Sequence, residues 1–60
     1  MMCHAEDLRP GDVLSEGGNL VVSTTLHYDT VLVRVLQPDT SITVLPYSLR
    51  YRVSRRERES

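Results

Sequence analysis

The chain has 60 residues, 40% of them hydrophobic, with three Tyr, no Phe, no Trp and a formal net charge of −1. A chain this short buries only roughly 60% of the surface it exposes when unfolded, and one core of that size supplies about 3 to 5 kcal/mol. There is room for one domain and little room for a buried catalytic constellation. The near-neutral charge also excludes the strongly basic balance of a dedicated nucleic-acid-binding domain.

The apolar set is lopsided, with eight Val and eight Leu against one Ala and one Ile. Together with five Thr, this favours strands over helices. Seven Arg and no Lys form the codon signature of a GC-rich bacterium or one of its phages. Residues 1–7, MMCHAED, have neither the basic segment nor the apolar run of a secretory signal, and no stretch of about 18 apolar residues marks a membrane span. They read as a flexible N-terminus before a cytoplasmic domain over residues 8–53. A lone Cys3 suits a reducing compartment, because it has no internal partner for a disulfide.

In chain order, LRPGDVL (Leu8 to Leu14) comes first. Pro10 fixes φ, Gly11 frees it, and the Asp12 side chain offers an acceptor, so this is a turn that opens a strand at Val13. EGGN, Glu16 to Asn19, supplies two glycines for the next turn. LVVSTTLH, Leu20 to His27, alternates with Leu20, Val22, Thr24 and Leu26 on one side. HYDT closes a tight hairpin around Tyr28 and Asp29. VLVRVL then sets Val31, Val33 and Val35 against Leu32, Arg34 and Leu36, as a central strand partly covered on both faces would. QPDTS turns the chain at Pro38 and Asp39. SITVL places Ile42 and Val44 inside, and Pro46, lacking an N–H, is expected to stop the strand. PYS reads as a 3₁₀ turn, LRYRV places Leu49, Tyr51 and Val53 inside, and residues 54–60 read as a flexible Arg/Glu tail. Leu8 and Val13 complete the expected core, and Val21, Leu32 and Leu36 are left over as an exposed apolar patch.

Five short strands in this order resemble the Src-homology-3-like (SH3-like) small β-barrel. The resemblance rests on LRPGDVL, similar to the turn and strand after the first long loop, and on VLPYSLRYRV, similar to the strand, 3₁₀ turn and closing strand. It implies an all-β barrel of about five antiparallel strands. Peptide-binding members grip polyproline helices with aromatic residues that include Trp, and with no Trp here recognition of proline-rich peptides is not expected. The PGD turn is also similar to one in swapped-hairpin transcription factors, but those place a strand and a helix before it, and only seven residues precede Leu8.

No nucleophile elbow, Walker or dinucleotide-binding pattern occurs, and the acids sit in turns, where Asp has a conformational reason to be. Cys3, His4 and His27 lack the spacing and number of a zinc site. The chain thus reads as non-enzymatic, without metal or cofactor. Its expected function is a protein-interaction module, an accessory or phage protein that binds a host protein through Tyr28, Leu32, Leu36 and Tyr47 or pairs with a second copy. The alternative is nucleic acid. Residues 1–46 carry six acids and two Arg, net −4, whereas residues 47–60 carry five Arg and two Glu, net +3. Arg50, Arg52, Arg55, Arg56 and Arg58 interleave there with Tyr47 and Tyr51, a combination suited to phosphate contact and base stacking.

Overall fold

The computed structural model describes residues 1–56. Five strands form: β1 (Met2–His4), β2 (Leu20–His27), β3 (Thr30–Leu36), β4 (Ile42–Ser48) and β5 (Arg52–Ser54). All pairings are antiparallel, in two sheets of order β1-β5 and β2-β3-β4. The protein is therefore all-β, and neither sheet closes on itself into a barrel.

The central strand, β3, sets the frame. Directly opposed residues of antiparallel strands share a face, so the register places Val35 beside Val21 and Thr43, Val33 beside Thr24 and Leu45, and Val31 beside Leu26 and Tyr47. This is the inner face. Val31, Val33 and Val35 are buried there with Val21, Val53, Ala5, Leu8 and Leu14, and Leu45, Tyr47 and Leu49 pack against them. These eight buried apolar side chains are all aliphatic, and each Val and Leu among them is worth about 1.5–3 kcal/mol relative to exposure.

Four expectations are corrected. In β2 the inward residue is Val21, 1% exposed, while Leu20, Val22 and Leu26 are exposed. A β-bulge between Val21 and Ser23 is the reason for the first two: before it Val21 faces in and Leu20 out, and Val22 is the extra residue. After it Thr24 and Leu26 lie on the inner side as expected, Leu26 being exposed there next to the hairpin end of the strand. In β4, Ile42 and Val44 are 59% and 47% exposed, because the strand does not stop at Pro46 but runs to Ser48 with Leu45 and Tyr47 inward. Pro46 lies opposite Leu32. Having no N–H, it fits where that group would point away from β3, on the free edge. The turn follows β4 rather than occupying Pro46–Ser48: Leu49 and Arg50 bend the chain and the Tyr51 N–H donates to the Ser48 carbonyl at 3.0 Å. This breaks the period-two pattern, and Tyr51, expected in the core, is 57% exposed.

The fourth correction concerns the first strand and the ends. Val13 and Leu14 make only isolated bridges, to Leu20 and Arg55, and Val13 is half-buried while Leu14 enters the core. The fifth strand is instead β1, which pairs Cys3 with Val53, followed by a 3₁₀ turn at Ala5–Asp7 that buries Ala5. Residues 1–7, read as lying outside the domain, thus carry one strand and one core residue. At the other end, Ser54 belongs to β5, and the Arg55 and Arg56 N–H groups donate to the Met1 and Val13 carbonyls, both at 2.8 Å. The remainder of the expected tail, residues 57–60, lies outside the described residues.

The turns follow the chemistry of their residues. Gly17 and Gly18 take consecutive positive φ values of 75° and 65°, which only glycine adopts freely. At Gln37–Ser41 the Thr40 N–H donates to the Gln37 carbonyl, and the Asp39 carboxylate accepts from the Ser41 hydroxyl and N–H. Those bonds, the hydroxyl first, hold the Asp39 carboxyl below its ordinary value despite full exposure. Thr40 sits at φ 71°, a conformation that penalises a β-branched residue. Replacing Thr40 with Gly is expected to raise stability by about 0.5–1 kcal/mol, or about 4–8 °C in Tm per kcal/mol for a domain of this size. Thermal and urea denaturation check this; an unchanged or lowered midpoint contradicts it.

Candidate functional site

The PGD turn is built around one buried carboxylate. Asp12 is 4% exposed, and its Oδ2 accepts from the Arg9 backbone N–H and from Arg55 Nη1, both at 2.9 Å. Its N–H donates to the Arg9 carbonyl, and its carbonyl accepts from Val21. The sequence identifies the turn; the ion pair to Arg55, 43 residues away, it does not. Arg55, expected to contact phosphate, is thereby engaged in a part-buried ion pair within the fold.

The other expected nucleic-acid residues are dispersed. Arg50 is exposed in the turn after β4 and Arg52 is exposed at the start of β5. The Arg56 side chain lies beside Gly18. Arg58 lies outside the described residues.

The four expected partner residues fall on three surfaces. Tyr28 stands at the β2–β3 hairpin tip, 87% exposed, with φ 56° and its ring edge-on to His27 at 4.7 Å. Tyr47 is on the inner side of β4, its ring stacked on Tyr51 at 5.4 Å and 10°. The pair borders a cleft of about 510 Å³ lined also by Leu14, Leu45, Glu16 and Arg52. Burial first, then the neighbouring Tyr51 and Glu16, pushes the Tyr47 phenol above its ordinary value, so at neutral pH it remains a protonated hydroxyl.

Leu32 and Leu36 do share a face, the outer one of the three-stranded sheet. Its rows, read from the register, are Leu20–Leu36–Ile42, Ser23–Arg34–Val44 and Thr25–Leu32–Pro46. The core lies on the other side, so Leu20, Ile42 and Val44 are exposed and Leu32 and Leu36 only half-buried. Sequence reasoning placed Ile42 and Val44 in the core, and continuing the alternation through Pro46 to Tyr47 is the signal that would have moved them out. The outer face therefore presents Leu20, Ile42 and Val44 as exposed apolar surface beside the half-buried Leu32 and Leu36.

The other titratable and thiol side chains among the described residues are spread over the fold. Cys3 lies in β1, and His27 contacts Tyr28. Among the described residues the half-buried His4 and the exposed Glu6 and Asp7 bring their ligand atoms within 4.8 Å of one another, a grouping that exposed acidic side chains commonly form without a metal ion. No helix of the described residues is long and apolar enough to cross a membrane. Compared with protein-family models, curated proteins and solved structures, the chain matches none of them.

The Asp12–Arg55 pair has a measurable consequence. Asp12→Asn leaves a largely buried guanidinium without its counter-charge and is expected to cost about 2–3 kcal/mol. In a double-mutant cycle with Arg55→Met the coupling should be at least about 1 kcal/mol. Additive effects of the two substitutions in urea denaturation would show the pair to be structurally incidental.

Proposed function

We propose that this protein is a small non-enzymatic interaction module, an accessory protein that binds another protein through the outer face of β2–β4. The observation that carries the reading is the row of aliphatic side chains at Leu20, Leu32, Leu36, Ile42 and Val44, exposed or half-exposed on a sheet whose other face is already filled. Tyr28, strained and exposed at the tip of the same sheet, supports it, since backbone strain persists at recognition sites. We read the architecture as a relative of the SH3-like small barrel. The pairing of β1 with β5, the order β2-β3-β4 and the long loop joining β1 to β2 favour that reading.

The test uses Ile42→Glu, an exposed change expected to alter stability by less than about 1 kcal/mol. Wild-type protein on a matrix, challenged with nuclease-treated lysate of the source cell, should retain a partner that Ile42→Glu retains at least about tenfold less, roughly 1.4 kcal/mol. Equal retention by both proteins rejects this face as the site.

One observation favours a second reading, nucleic acid. Tyr51 is exposed, stacked on Tyr47 and beside Arg52, a platform on which a base could stack. Titration with labelled single-stranded DNA and RNA, at about 50 and about 200 mM salt, separates the two. The interaction-module reading expects no saturable binding at either salt. Binding at low salt that Tyr51→Ala abolishes transfers the function to the aromatic cleft.

A further inference from the structure

Arg34 occupies the centre of the outer face. It lies on the middle strand between Leu32 and Leu36, with Ser23 opposite on β2 and Val44 opposite on β4. The residue is exposed, and among the described residues its guanidinium has no hydrogen bond or ion pair. Two of the other arginines are engaged: Arg9 caps carbonyls of its own turn and Arg55 pairs with Asp12. An unpaired planar cation set in the middle of aliphatic side chains is costly to cover unless the covering surface brings a carboxylate.

That constraint decides between occupants. A second copy docked face to face about a two-fold axis through this patch would bring two Arg34 guanidiniums together, a like-charge contact at the centre of the interface. The area argues the same way. Seven residues of strand by three strands cover about 23 by 14 Å, roughly 320 Å², well under the ~800 Å² per partner of a stable dimer. Addition of a strand at the β4 edge is discouraged by Pro46, which offers no N–H there. A width of about 14 Å does accommodate one helix of ~10–12 Å diameter lying across the sheet.

We propose that the outer face of β2–β4 docks an amphipathic helix of a protein partner whose apolar stripe is interrupted by one Asp or Glu, and that Arg34 pairs with that carboxylate. This rests on the outer face being the docking surface, and it adds the chemistry of what docks. The aliphatic rim excludes water and Arg34 supplies register and choice of partner, the roles that charged groups take in interfaces. Binding is of the transient class that so small a contact allows.

Three fluorescein-labelled amphipathic helical peptides, identical except for Glu, Gln or Lys at the centre of a Leu/Val stripe, serve as probes in fluorescence anisotropy with the intact protein. The Glu peptide should bind at least about tenfold more tightly than the Lys peptide, with Gln between. Arg34→Glu, at an exposed position, should reverse the order, and Ile42→Glu should weaken all three. Equal affinities for the three peptides, all lost in Ile42→Glu, overturn the role of Arg34 and leave the face as a docking surface. Absence of binding, or binding indifferent to Ile42→Glu, overturns both. Sedimentation equilibrium reads the remaining occupant: a wild-type dimer dissociated by Ile42→Glu overturns the proposal in favour of a second copy.

Discussion

The Asp12 carboxylate joins the two halves of this molecule. A two-stranded sheet and a three-stranded sheet are each marginal alone, and here the segment between β1 and β2 holds them together. Asp12 shapes that segment by accepting from Arg9, and it reaches the end of β5 through Arg55. The adjacent backbone completes the link on both sides, since Gly11 and Asp12 bond to Val21 of the three-stranded sheet and Ser15 donates to Ser54 of the other. Leu8 and Leu14, on either side of the turn, are thereby set into the core.

With the long loop, β1 and β5 all committed to the inner face of β2–β4, nothing among the described residues remains to cover the outer one. A sheet with one face buried leaves the other to water or to a partner. Polar residues would make that face inert. This one carries Leu20, Leu32, Leu36, Ile42 and Val44 beside Ser23 and Thr25, with a single Arg at the centre. The Tyr47–Tyr51 cleft lies on the opposite side, so the two candidate surfaces are separated by the core and can be probed independently.

Local chemistry was legible where one residue type had one job. Pro10, Gly11 and Asp12 announced a turn, Gly17 and Gly18 another, and Tyr28–Asp29 a tight hairpin, because φ preference is written in the side chain itself. The Val31, Val33, Val35 stripe was legible because it alternates with Leu32, Arg34 and Leu36, although the cover expected on both faces is present on the inner one alone. The faces of β2 and β4 were not, since both flanking strands carry apolar residues at odd and even positions alike. There the decision passed to the bulge at Val22 and to the edge position of Pro46, both of which are properties of strand pairing. Strand β1 was invisible for a similar reason: Met2, Cys3 and His4 have no pattern of their own and are extended because β5 lies beside them.

Sequence alone thus determined that the backbone from Leu20 onward is largely extended, where the chain turns except after β4, and that the middle strand is the spine, all of which follow from the conformational preferences of residues and their near neighbours. Which side of each flanking strand meets the core, which arginine is bound inside and which is left bare, and that a leucine- and valine-rich face stays uncovered were decided only by the tertiary structure. Those outcomes depend on partners as far apart as Asp12 and Arg55, 43 residues, and a side chain cannot encode locally which distant neighbour will neutralise or bury it.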